Sequence, residues 1–593
     1  MHAVGATGLH GGVALESELR EGGIIEELRL DLAVQNPQRS PSLMDLLLYD
    51  KCRQEPDLAL YLNTAITGAD VAQGSIQRVH AHRHSTEERF VIRAATFVDC
   101  TGDGRLGVEA GAPFMHGRES KAQYGESLAV EESDRKTLGS TLLLQARRHP
   151  QPMPFVAPPW VRRFQASDFA LRPFGQPGFD LGLEYGYWWV EWGGCLDTVA
   201  DNERIRDELL AIALGVWNYI KNDSAADAAH WALDWIGFLP GKRESRRFVG
   251  QHVLREDDLV QSRHFSDAIA YGGWPIDLHP PEGIDAQSVP PCEQWRLPYL
   301  YGIPLRSCVS AKVGNLLFAG RNISATHVAL ASTRVMATCA VIGQGVGTAA
   351  ALALRAKVLP VDIAAQPELV HKIQQQLLKD DCYLIGVGND DPEDLVRSAV
   401  AITASSAQIG ASPELVRSGH TRSVHGSEAS PSGSGTTEGD GLPALAKRAG
   451  GSGVATISAP PDRARRGLHR WMSEPALGLP AWLEIRWPRP IDVREVRLVF
   501  DSGLHRLLTL SQADGYTRRM LWGQPQPETV RDYVIAVETS DGWQDVECVS
   551  GNYQRCRVHR LASPALARAL RIVVTATQGL DHARIVEVRA YPG

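Results

Sequence analysis

The first residues that could do chemistry form a glycine-rich turn after a predicted strand. In ATFVDCTGDGRLGVEAGAPF, Gly102, Gly104 and Gly107 satisfy G-x-G-x-x-G. That pattern suggests a dinucleotide site, but Pro113 limits the following helix to about two turns, and no second strand ending in an acid comes about 20 residues later. We interpret the turn as a close backbone approach to a ligand, with Asp103 capping the turn or contributing its carboxylate. A plain tight turn is the alternative.

A second group of residues follows a predicted strand in VGNLLFAGRNISATHVALASTRVMATCAVIGQGVGTAAALA, which begins at Val313. A buried strand is predicted over 315–319, and it leads through Gly320 and Arg321 into a loop. A long helix rich in Ala and Gly is predicted over 332–355, and these residue types let a helix pack closely on a sheet or a ligand. The local arrangement is therefore strand, turn, helix.

The predicted start of this helix suits an anion. Ser332 and Thr333 would lie in its first turn, where free N–H groups and the positive dipole end favour a phosphate or the negative charge of a reduced flavin. Arg321 would add a fixed cation. His327 falls in the predicted loop, where it could contact substrate or flavin, and a surface or capping histidine is the alternative.

Composition and charge exclude several classes of protein. The chain has 593 residues, a length that corresponds to about three domains. Its 61 Lys and Arg against 69 Asp and Glu give a net charge of −8, so no attraction to nucleic acid is expected. No run of about 18 apolar residues occurs, so we expect no membrane span. Residues 1–12 lack the basic start and apolar core of a signal peptide, so we expect a cytoplasmic protein.

Nine cysteines are scattered singly along the chain, without a C-x-x-C pair. This distribution argues against zinc or an iron–sulfur cluster held by local motifs, so we predict no metal site. An odd, dispersed set in a long chain fits reduced thiols better than a disulfide framework.

The elements that must position these residues follow from the spacing of apolar side chains. Helical spacing predicts a helix over 42–54, and a β-meander follows it. The predicted strands of this segment are 58–66, 76–82, 90–93 and 95–100. Residues 156–296 are rich in Trp and Tyr, include one clear helix over 202–222, and are interpreted as a separate mixed domain.

The C-terminal part of the sequence changes character twice. Residues 405–453 are rich in Ser, Gly, Thr and Pro and cannot bury enough apolar area to order themselves, so they are predicted to form a linker or a long surface loop. Evenly spaced strands with turn residues between them then predict an all-β sandwich. The predicted strands are 482–487, 493–500, 533–539, 543–549, 569–576 and 584–591.

Several of these segments resemble one enzyme family. DCTGDGRLGVEAGAPF, GRES with Glu126, and the block from Tyr301 to Ala353 are similar to the FAD-dependent oxidoreductase family that includes the flavoprotein subunit of heterodisulfide reductase. EYGYWWVEWGG and LPGKRESRRFVGQHVL resemble its substrate-side segments. The resemblance extends from the start of the chain to about residue 400.

The resemblance implies a multidomain architecture of α/β plus all-β type. An incomplete FAD domain of the glutathione-reductase type, 1–125 and 297–392, would be interrupted by a substrate domain, 126–296, and followed by a galactose-binding-like β-sandwich (jelly roll) over 393–593. Family members open with a strand, a G-x-G-x-x-G turn, a helix and a second strand that bind the ADP half of FAD. This sequence starts later, near HAVGATGLHGG, so we expect that nucleotide site to be missing and tight FAD binding to be impaired. The iron–sulfur centres of the heterodisulfide-reductase relatives are not expected.

The resemblance also implies contacts with the cofactor FAD from both segments. The implied cofactor-binding residues are Thr101, Gly102, Asp103, Gly104, Gly320, Arg321, Ser332, Thr333 and Gln344. Arg321 and the helix end at Ser332 would stabilise reduced flavin, and His327 is the candidate base or substrate contact, so His327 and Arg321 are the predicted catalytic residues. The candidate substrate residues are Glu244, Arg246, Arg247 and Trp189. An ordinary ion-pair network is the alternative for the two arginines beside Glu244.

The C-terminal region resembles a different family. ITASSAQ near Ile402 and HRWMSEPALGLPAWLEIRWPRPIDVREVRLVFD from His469 are similar to a discoidin or coagulation-factor type C domain. In such sandwiches the loops at one end bind glycans or other ligands, although the fold itself promises no function. Trp471 and Trp522 are candidates for stacking on a sugar. Core packing is the alternative for both, and it is the favoured one for Trp471.

Two main hypotheses follow. The first is an FAD-dependent oxidoreductase whose small hydroxylated or carbohydrate-related substrate is held between the FAD domain and the Trp-rich domain. The second is a cofactor-free glycan-binding protein with a degenerate flavoprotein scaffold, which the missing ADP-binding half favours and the intact 313–353 block disfavours. A third, a redox subunit that passes electrons to a partner protein, would need a partner surface that the sequence does not reveal.

Overall fold

The computed structural model describes residues 18–172, 174, 183–184, 186–224, 226–297, 300–422, 469–512 and 514–592. A mixed α/β region is followed by an all-β region, as predicted. The predicted linker lies outside the described residues from 423 to 453. Its first part, 405–422, is described and packed, since Ala411 and Val416 are fully buried, so the prediction of a loose segment is wrong there.

The first part of the chain combines helices with a small antiparallel sheet. The helices are α1 (Ile24–Gln35), α2 (Pro41–Gln54), α3 (Arg105–Glu109) and α4 (Lys121–Tyr124), and the strands are β1 (Thr64–Ala72), β2 (Ser75–Arg83), β3 (Glu88–Ile92), β4 (Phe97–Asp99) and β5 (Phe114–Met115). The helix over 42–54 and the meander of β1, β2 and β3 are confirmed. The strand predicted over 58–66 is wrong before Thr64, because Leu58, Leu60 and Leu62 lie outside any strand with their side chains exposed.

The middle of the chain contributes to two cores: residues 142–236 pack around one helix, whereas residues from Phe248 to Ile276 are buried in the main core cluster. The elements are β6 (Ser140–Thr141), β7 (Leu144–Arg148), β8 (Glu191–Trp192), α5 (Asn202–Asn218), β9 (Trp231–Ile236), β10 (Gly241–Lys242), β11 (Arg247–Phe248), α6 (Glu256–Val260), β12 (Ala268–Gly272), β13 (Ile276–Leu278) and β14 (Glu293–Trp295). Leu209, Ile212 and Val216 recur at helical spacing and are fully buried. A π turn over Tyr219–Asp223 extends α5, so the predicted helix over 202–222 is confirmed.

The next elements pack against the first part of the chain. They are β15 (Tyr301–Pro304), β16 (Leu316–Phe318), α7 (His327–Thr333), α8 (Met336–Ala356) and α9 (Pro367–Lys379). By length and composition alone α8 could cross a membrane. In this fold α8 packs along β12 and α9, with its apolar residues in the main core cluster.

The predicted helix over 332–355 is wrong at its start. Thr326 caps α7 by accepting a hydrogen bond from the backbone N–H of Ala329 at 3.1 Å, so a helix begins before Ser332. Val335 is extended, with ψ of 146°, and separates α7 from α8. Periodicity missed this break because both helices are rich in Ala and continue the same apolar pattern.

The C-terminal region is an antiparallel β-sandwich around one apolar cluster. Its elements are β17 (Ala401–Ala404), β18 (Trp471–Met472), β19 (Ala481–Phe500), α10 (Asp514–Met520), β20 (Val530–Thr539), β21 (Gly542–Val549), β22 (Cys556–Thr577) and β23 (Arg584–Tyr591). The strand order is β18-β23-β19-β22-β20-β21, with β17 paired to β19. The strands predicted over 482–487 and 493–500 form one long strand, β19, whose pairing with β22 shifts register between Arg486 and Ile491.

Candidate functional site

Two parallel strands bring the two predicted turns together. Strand β4 pairs with β16 so that Asp99 lies opposite Phe318. Parallel strands end at the same edge of a sheet, so the turn over 101–104 and the turn over 320–321 adjoin there. Asn322 fastens them, because its side-chain amide donates to the carbonyl oxygen of Asp99 at 3.2 Å.

Glycine is required in the first turn. Gly102 and Gly104 have φ of 73° and 71°, in the left-handed region that side chains rarely adopt. A Cβ on Gly102 would lie 2.0 Å from Nη1 of Arg321, and one on Gly104 would lie 2.7 Å from the ring of Phe248. The glycines therefore let Arg321 and Phe248 lie directly on the backbone, and the helix that follows, α3, is short, as Pro113 predicts.

A buried carboxylate that the sequence analysis missed organises this turn. Asp99 is fully buried and accepts hydrogen bonds from the backbone N–H and hydroxyl of Thr101 at 2.9 and 2.7 Å. Its second oxygen accepts from the N–H of Gly107 at 2.8 Å. The hydroxyl of Thr101 also accepts from the N–H of Arg105 at 2.8 Å, so this side chain shapes the turn.

Asp103 lies at the centre of a cationic cluster. Its carboxylate contacts Nη2 of Arg321 and Nζ of Lys242, each at 2.6 Å, and its carbonyl oxygen accepts from Arg246 at 3.2 Å. Burial alone would raise the pKa of Asp103, but Lys242 and Arg321 hold that pKa below its ordinary value. An ionised Asp103 beside three cations leaves the cluster with net positive charge. Lys242 was not predicted from the sequence.

His327 and Glu244 form a buried pair. His327 is the first residue of α7, so its predicted place in a loop is wrong. Its Nδ1 lies 2.9 Å from Oε2 of Glu244, and its backbone N–H donates to Glu119 at 2.8 Å. No hydrogen bond to its Nε2 occurs within the described part of the chain. The pair can therefore accept a proton at Nε2 while Glu244 fixes the ring.

Glu244 stays ionised although it is fully buried. Burial would raise its pKa, but His327 and Arg247 hold the pKa below the ordinary value. It also accepts a hydrogen bond from the backbone N–H of Leu138 at 2.9 Å. A carboxylate in this state stabilises a protonated imidazole beside it.

The segment 242–247 joins the pair to the cationic cluster. Lys242 and Arg246 contact Asp103, the hydroxyl of Ser245 donates to the carbonyl of Gly102 at 3.4 Å, and Glu244 holds His327. Three of these positions contact the glycine turn and one contacts the histidine, all within one short stretch of chain. The glycine turn and the histidine are therefore linked through this segment.

Arg247 and Arg246 differ in their surroundings. Arg247 is fully buried and donates to Glu119 at 2.9 Å and to the carbonyl of Ala325 at 3.0 Å. Its donors are committed to the protein, which agrees with the ion-pair alternative. Arg246 is partly exposed, and its guanidinium lies 5.5 Å from the centre of the Phe114 ring.

Three predicted residues are not brought to this cluster. Ser332 lies in the last turn of α7, fully buried, with its hydroxyl 2.7 Å from that of Tyr301, so it presents no helix start to a ligand. Gln344 accepts a hydrogen bond from the N–H of Ile24 at 2.9 Å, against the start of α1. Trp189 is buried in the middle core and stacked 5.0 Å from Tyr187, so its side chain packs there and its role as a substrate residue stays a prediction.

Gly320 has open space around its Cα, and Thr333 and Arg321 each keep a polar atom without a partner among the described residues. Gly320 has φ of 104°, and the nearest atom to a Cβ there would be Oδ1 of Asn322 at 3.7 Å. The hydroxyl of Thr333, also in the last turn of α7, is buried without a hydrogen-bond partner among the described residues. Nε of Arg321 is likewise buried without a hydrogen-bond partner among the described residues.

A second buried network escaped the sequence analysis. His279 lies 2.7 Å from Glu191 through Nδ1 and 3.1 Å from Asp277 through Nε2. Arg334 contacts Asp277 at 3.2 Å, and Arg243 contacts Glu191 at 3.2 Å. Burial would lower the pKa of His279, but the two carboxylates raise it. Arg243 precedes Glu244 directly, and that adjacency was the signal that could have found the network.

Cys339 shows how enclosed this area is. Burial raises the pKa of its thiol to about 12, although Arg321 and Arg334 act in the opposite direction. The thiol is therefore protonated at neutral pH and is no nucleophile. All nine cysteines lie in the described residues and carry free thiols.

The tryptophans predicted to stack on a sugar are engaged elsewhere. Trp471 is fully buried in the core of the sandwich, and its Nε1 donates to the carbonyl of Ser406 at 2.8 Å. Nε1 of Trp522 donates to the carbonyl of Asn36 at 2.9 Å. The packing alternative therefore holds for Trp471, and Trp522 faces the first part of the chain.

Comparison with known proteins gives a match over most of the chain. Residues 6–377 match the family model described as FAD dependent oxidoreductase. Among curated proteins no match is found.

Solved structures match the C-terminal region. The family 32 CBM from C. perfringens NanJ, in complex with galactose, is 11% identical, covers 32% of this chain and 92% of its own, and has a TM-score of 0.19. Chitosan-binding module 1 of a Paenibacillus chitosanase/glucanase is 13% identical, covers 33% of this chain and 98% of its own, and has a TM-score of 0.20. The family 32 carbohydrate-binding module of Streptococcus pneumoniae EndoD is 19% identical, with 21% and 76% covered and a TM-score of 0.17.

Proposed function

Since the chain belongs to the FAD-dependent oxidoreductase family, we propose that it binds FAD and oxidises a small hydroxylated or carbohydrate-related substrate. The observation that carries the proposal is the His327–Glu244 pair, joined through 242–247 to the cationic cluster at Asp103. A histidine oriented by an ionised carboxylate is the group that alcohol oxidation needs, because a hydroxyl must lose its proton as its carbon is oxidised.

The residues around Asp103 fit the flavin half of FAD. The turn at Gly102 and the open space at Gly320 allow close approach to backbone, and Nε of Arg321 is a buried donor without a partner within the described residues. The net positive charge there suits the charge that develops on a reduced flavin. FAD, when bound, supplies the two-electron acceptor for the oxidation. In the described ranges we find no strand, glycine turn and long helix of the dinucleotide-binding type, and we assign no residue to the adenine half.

The chain's own residues account for the proton. Nε2 of His327 takes the proton of the substrate hydroxyl, and Glu244, 2.9 Å from Nδ1, stabilises the resulting imidazolium. Asp103 orients Arg321 and Lys242 toward the ligand. A hydroxylated substrate is supported by this base, and its relation to carbohydrates remains part of the proposal.

Paired glycine variants test where the flavin binds. In Gly102→Ala the new Cβ would lie 2.0 Å from Nη1 of Arg321 and displace it, whereas Gly111→Ala has a similar φ of 70° and open space around its Cβ. Titration with FAD, followed by quenching of flavin fluorescence, should show at least about tenfold weaker binding for Gly102→Ala, since loss of a charged contact costs 1.5–3 kcal/mol. Gly111→Ala should match the parent chain. Equal affinities in all three proteins would contradict the assigned site.

A further inference from the structure

Residues 18–39 occupy the loop end of the C-terminal sandwich. This end is formed by the loops 501–529 and 550–555, which connect β19 to β20 and β21 to β22. The two loops lie together because Val499 at the end of β19 pairs with Cys556 at the start of β22. Ligand-binding loops in sandwiches of this kind cluster at one end, so the occupant of this end decides what it can bind.

An arginine is enclosed at the centre of this contact. The side chain of Arg20 is fully buried and pairs with Glu26 at 2.6 Å. Its guanidinium also donates to the carbonyl oxygens of Ser502 and Gly503 at 2.8 Å each, and to that of Arg506. The hydroxyl of Ser502 donates to Glu26 at 2.7 Å. A planar donor group satisfied by Glu26 of α1 and by the carbonyl oxygens of one loop is a built contact.

Helix α1 adds an apolar contact with the same loops. Leu30 and Ala33 form one buried cluster with Leu508 and Met520. Leu508 and Met520 are fully buried, although they lie outside the core of the sandwich. These side chains would be exposed if α1 were absent, so α1 completes the folded state of the loop.

Polar contacts close the edges of the interface. The hydroxyl of Tyr553 donates to Asp31 at 2.9 Å, and Nε1 of Trp522 donates to the carbonyl of Asn36 at 2.9 Å. Trp522 and Tyr553 also pack against the Leu508 cluster. Trp522 and Tyr553, two aromatic residues at this end that could stack on a sugar, are thus used on the chain itself.

The other side of this segment contacts α8. Gly23, just before α1, has φ of 75°, and a Cβ there would lie 2.3 Å from Oε1 of Gln344. The same oxygen accepts the N–H of Ile24 at 2.9 Å. Helix α8 starts at Met336, two residues after Arg334 of the second buried network, and Cys339 lies in its first turn. The position of α1 therefore bears on the helix that leads away from that network.

We propose that the loop end of the sandwich is an intramolecular clamp whose occupant is residues 18–39 of this chain. The clamp holds α1 against α8 and occupies Trp522 and Tyr553, so that neither aromatic ring is left for a sugar. Because it depends on contacts within the polypeptide alone, it does not rest on FAD binding.

Hydrogen exchange of the full chain tests the clamp. In Leu508→Ala the loss of a fully buried leucine should speed exchange of the α1 amides by about 30-fold or more relative to the parent chain. Trp522→Phe removes one hydrogen bond and little volume and should give a several-fold increase, which keeps the test valid if Leu508→Ala folds poorly. Leu566→Ala is the matched control, since Leu566 is exposed in the part of β22 that pairs with Asp492, and it should leave exchange in α1 unchanged.

Two results would overturn the proposal. One is exchange in α1 that stays at the parent rate in both Leu508→Ala and Trp522→Phe. The other is saturable binding of galactose to the parent chain that Trp522→Phe abolishes, measured by calorimetry, because it would show a loop end open to sugar.

Discussion

The α/β region and the loop end of the sandwich both bury charged side chains, but they leave them in different states. Of the two ring nitrogens of His327, only Nδ1 contacts Glu244. Nε2 has no hydrogen-bond partner among the described residues and remains for a ligand. At the loop end, Arg20 and Arg555 have protein acceptors around their guanidinium groups, and Arg555 pairs with Asp381 at 2.8 Å. A buried charged side chain whose polar atoms all have protein partners holds elements together. A titratable side chain that keeps one polar atom without a partner can bind a ligand or transfer a proton.

The largest effect should come from breaking the enclosed charges. In Arg555→Met the carboxylate of Asp381 loses its 2.8 Å partner while it stays buried. We expect the free energy of unfolding to fall by about 3–5 kcal/mol, the usual cost of leaving a buried charge unpaired. Urea unfolding measures the change, and Arg531→Met, at an exposed pair with Asp532, is the control. A loss below about 1 kcal/mol would show that the two pairs are alike.

The next effect concerns chemistry rather than stability. His327→Gln keeps a polar side chain but cannot take the substrate proton, so we expect substrate-dependent flavin reduction to fall by at least about 100-fold. Flavin affinity should change little, which separates this residue from the Gly102 turn. Stopped-flow reduction of the flavin-loaded variant with the best substrate from an alcohol and sugar screen provides the measurement. Full activity of His327→Gln would remove the histidine from the mechanism.

A smaller effect should appear in the dependence of stability on pH. The pKa of His279 is raised above its ordinary 6.5 by Glu191 and Asp277. The pairing of His279 therefore contributes to stability below pH 6.5, and this contribution is lost as the pH rises through the folded-state pKa. Unfolding free energies of the parent chain and His279→Gln should converge toward alkaline pH. A difference that stays constant across this range would show that the charge on His279 does not matter.

The lowered pKa of Glu191 makes stability depend on pH in the opposite direction. The pairing of Glu191 contributes to stability above pH 4.5, its ordinary pKa, and this contribution is lost as the pH falls through the folded-state pKa. In Glu191→Gln we expect a shallower loss of stability in acid than in the parent chain, measured by the same unfolding experiment. An unchanged acid limb would contradict the pairing of Glu191 with His279.

The smallest effect should come from Trp189→Phe. Trp189 lies in the middle core beside Phe169 and Phe174, so a smaller aromatic ring should cost roughly 1 kcal/mol of stability. The rate of flavin reduction should not change. A rate that falls while stability is kept would confirm Trp189 as a substrate residue.

The sequence predicted local features better than distant ones. The strands of the sandwich could be predicted because short runs rich in apolar residues and bounded by turn residues are a local signal, as in β20 and β23. The turns at Gly102 and Gly320 were also recognisable, because glycine at those positions meets a conformational need. The break at Val335 was not, since the helices on both sides of it continue one apolar pattern.

Contacts between distant residues explain the remaining misses. Glu191 and His279 are 88 positions apart, and Arg20 and Ser502 are 482 apart, so no local pattern pairs them. The packing of Trp189 in the core could not be predicted, because a Trp-rich segment looks alike whether it lines a site or fills a core. The fold class and the central residues Asp103, Arg321, His327 and Glu244 could be found in sequence, whereas the network at His279 and the clamp required the three-dimensional contacts.

The central claim is that the strand ends of β4 and β16 form a flavin site. The most direct measurement is the absorbance spectrum of the purified chain after incubation with FAD and desalting. We expect flavin bands to be retained, although at less than one flavin per chain because no residue is assigned to the adenine half. A hydroxylated substrate should bleach these bands in the parent chain but not in His327→Gln. A colourless protein after desalting would contradict the account.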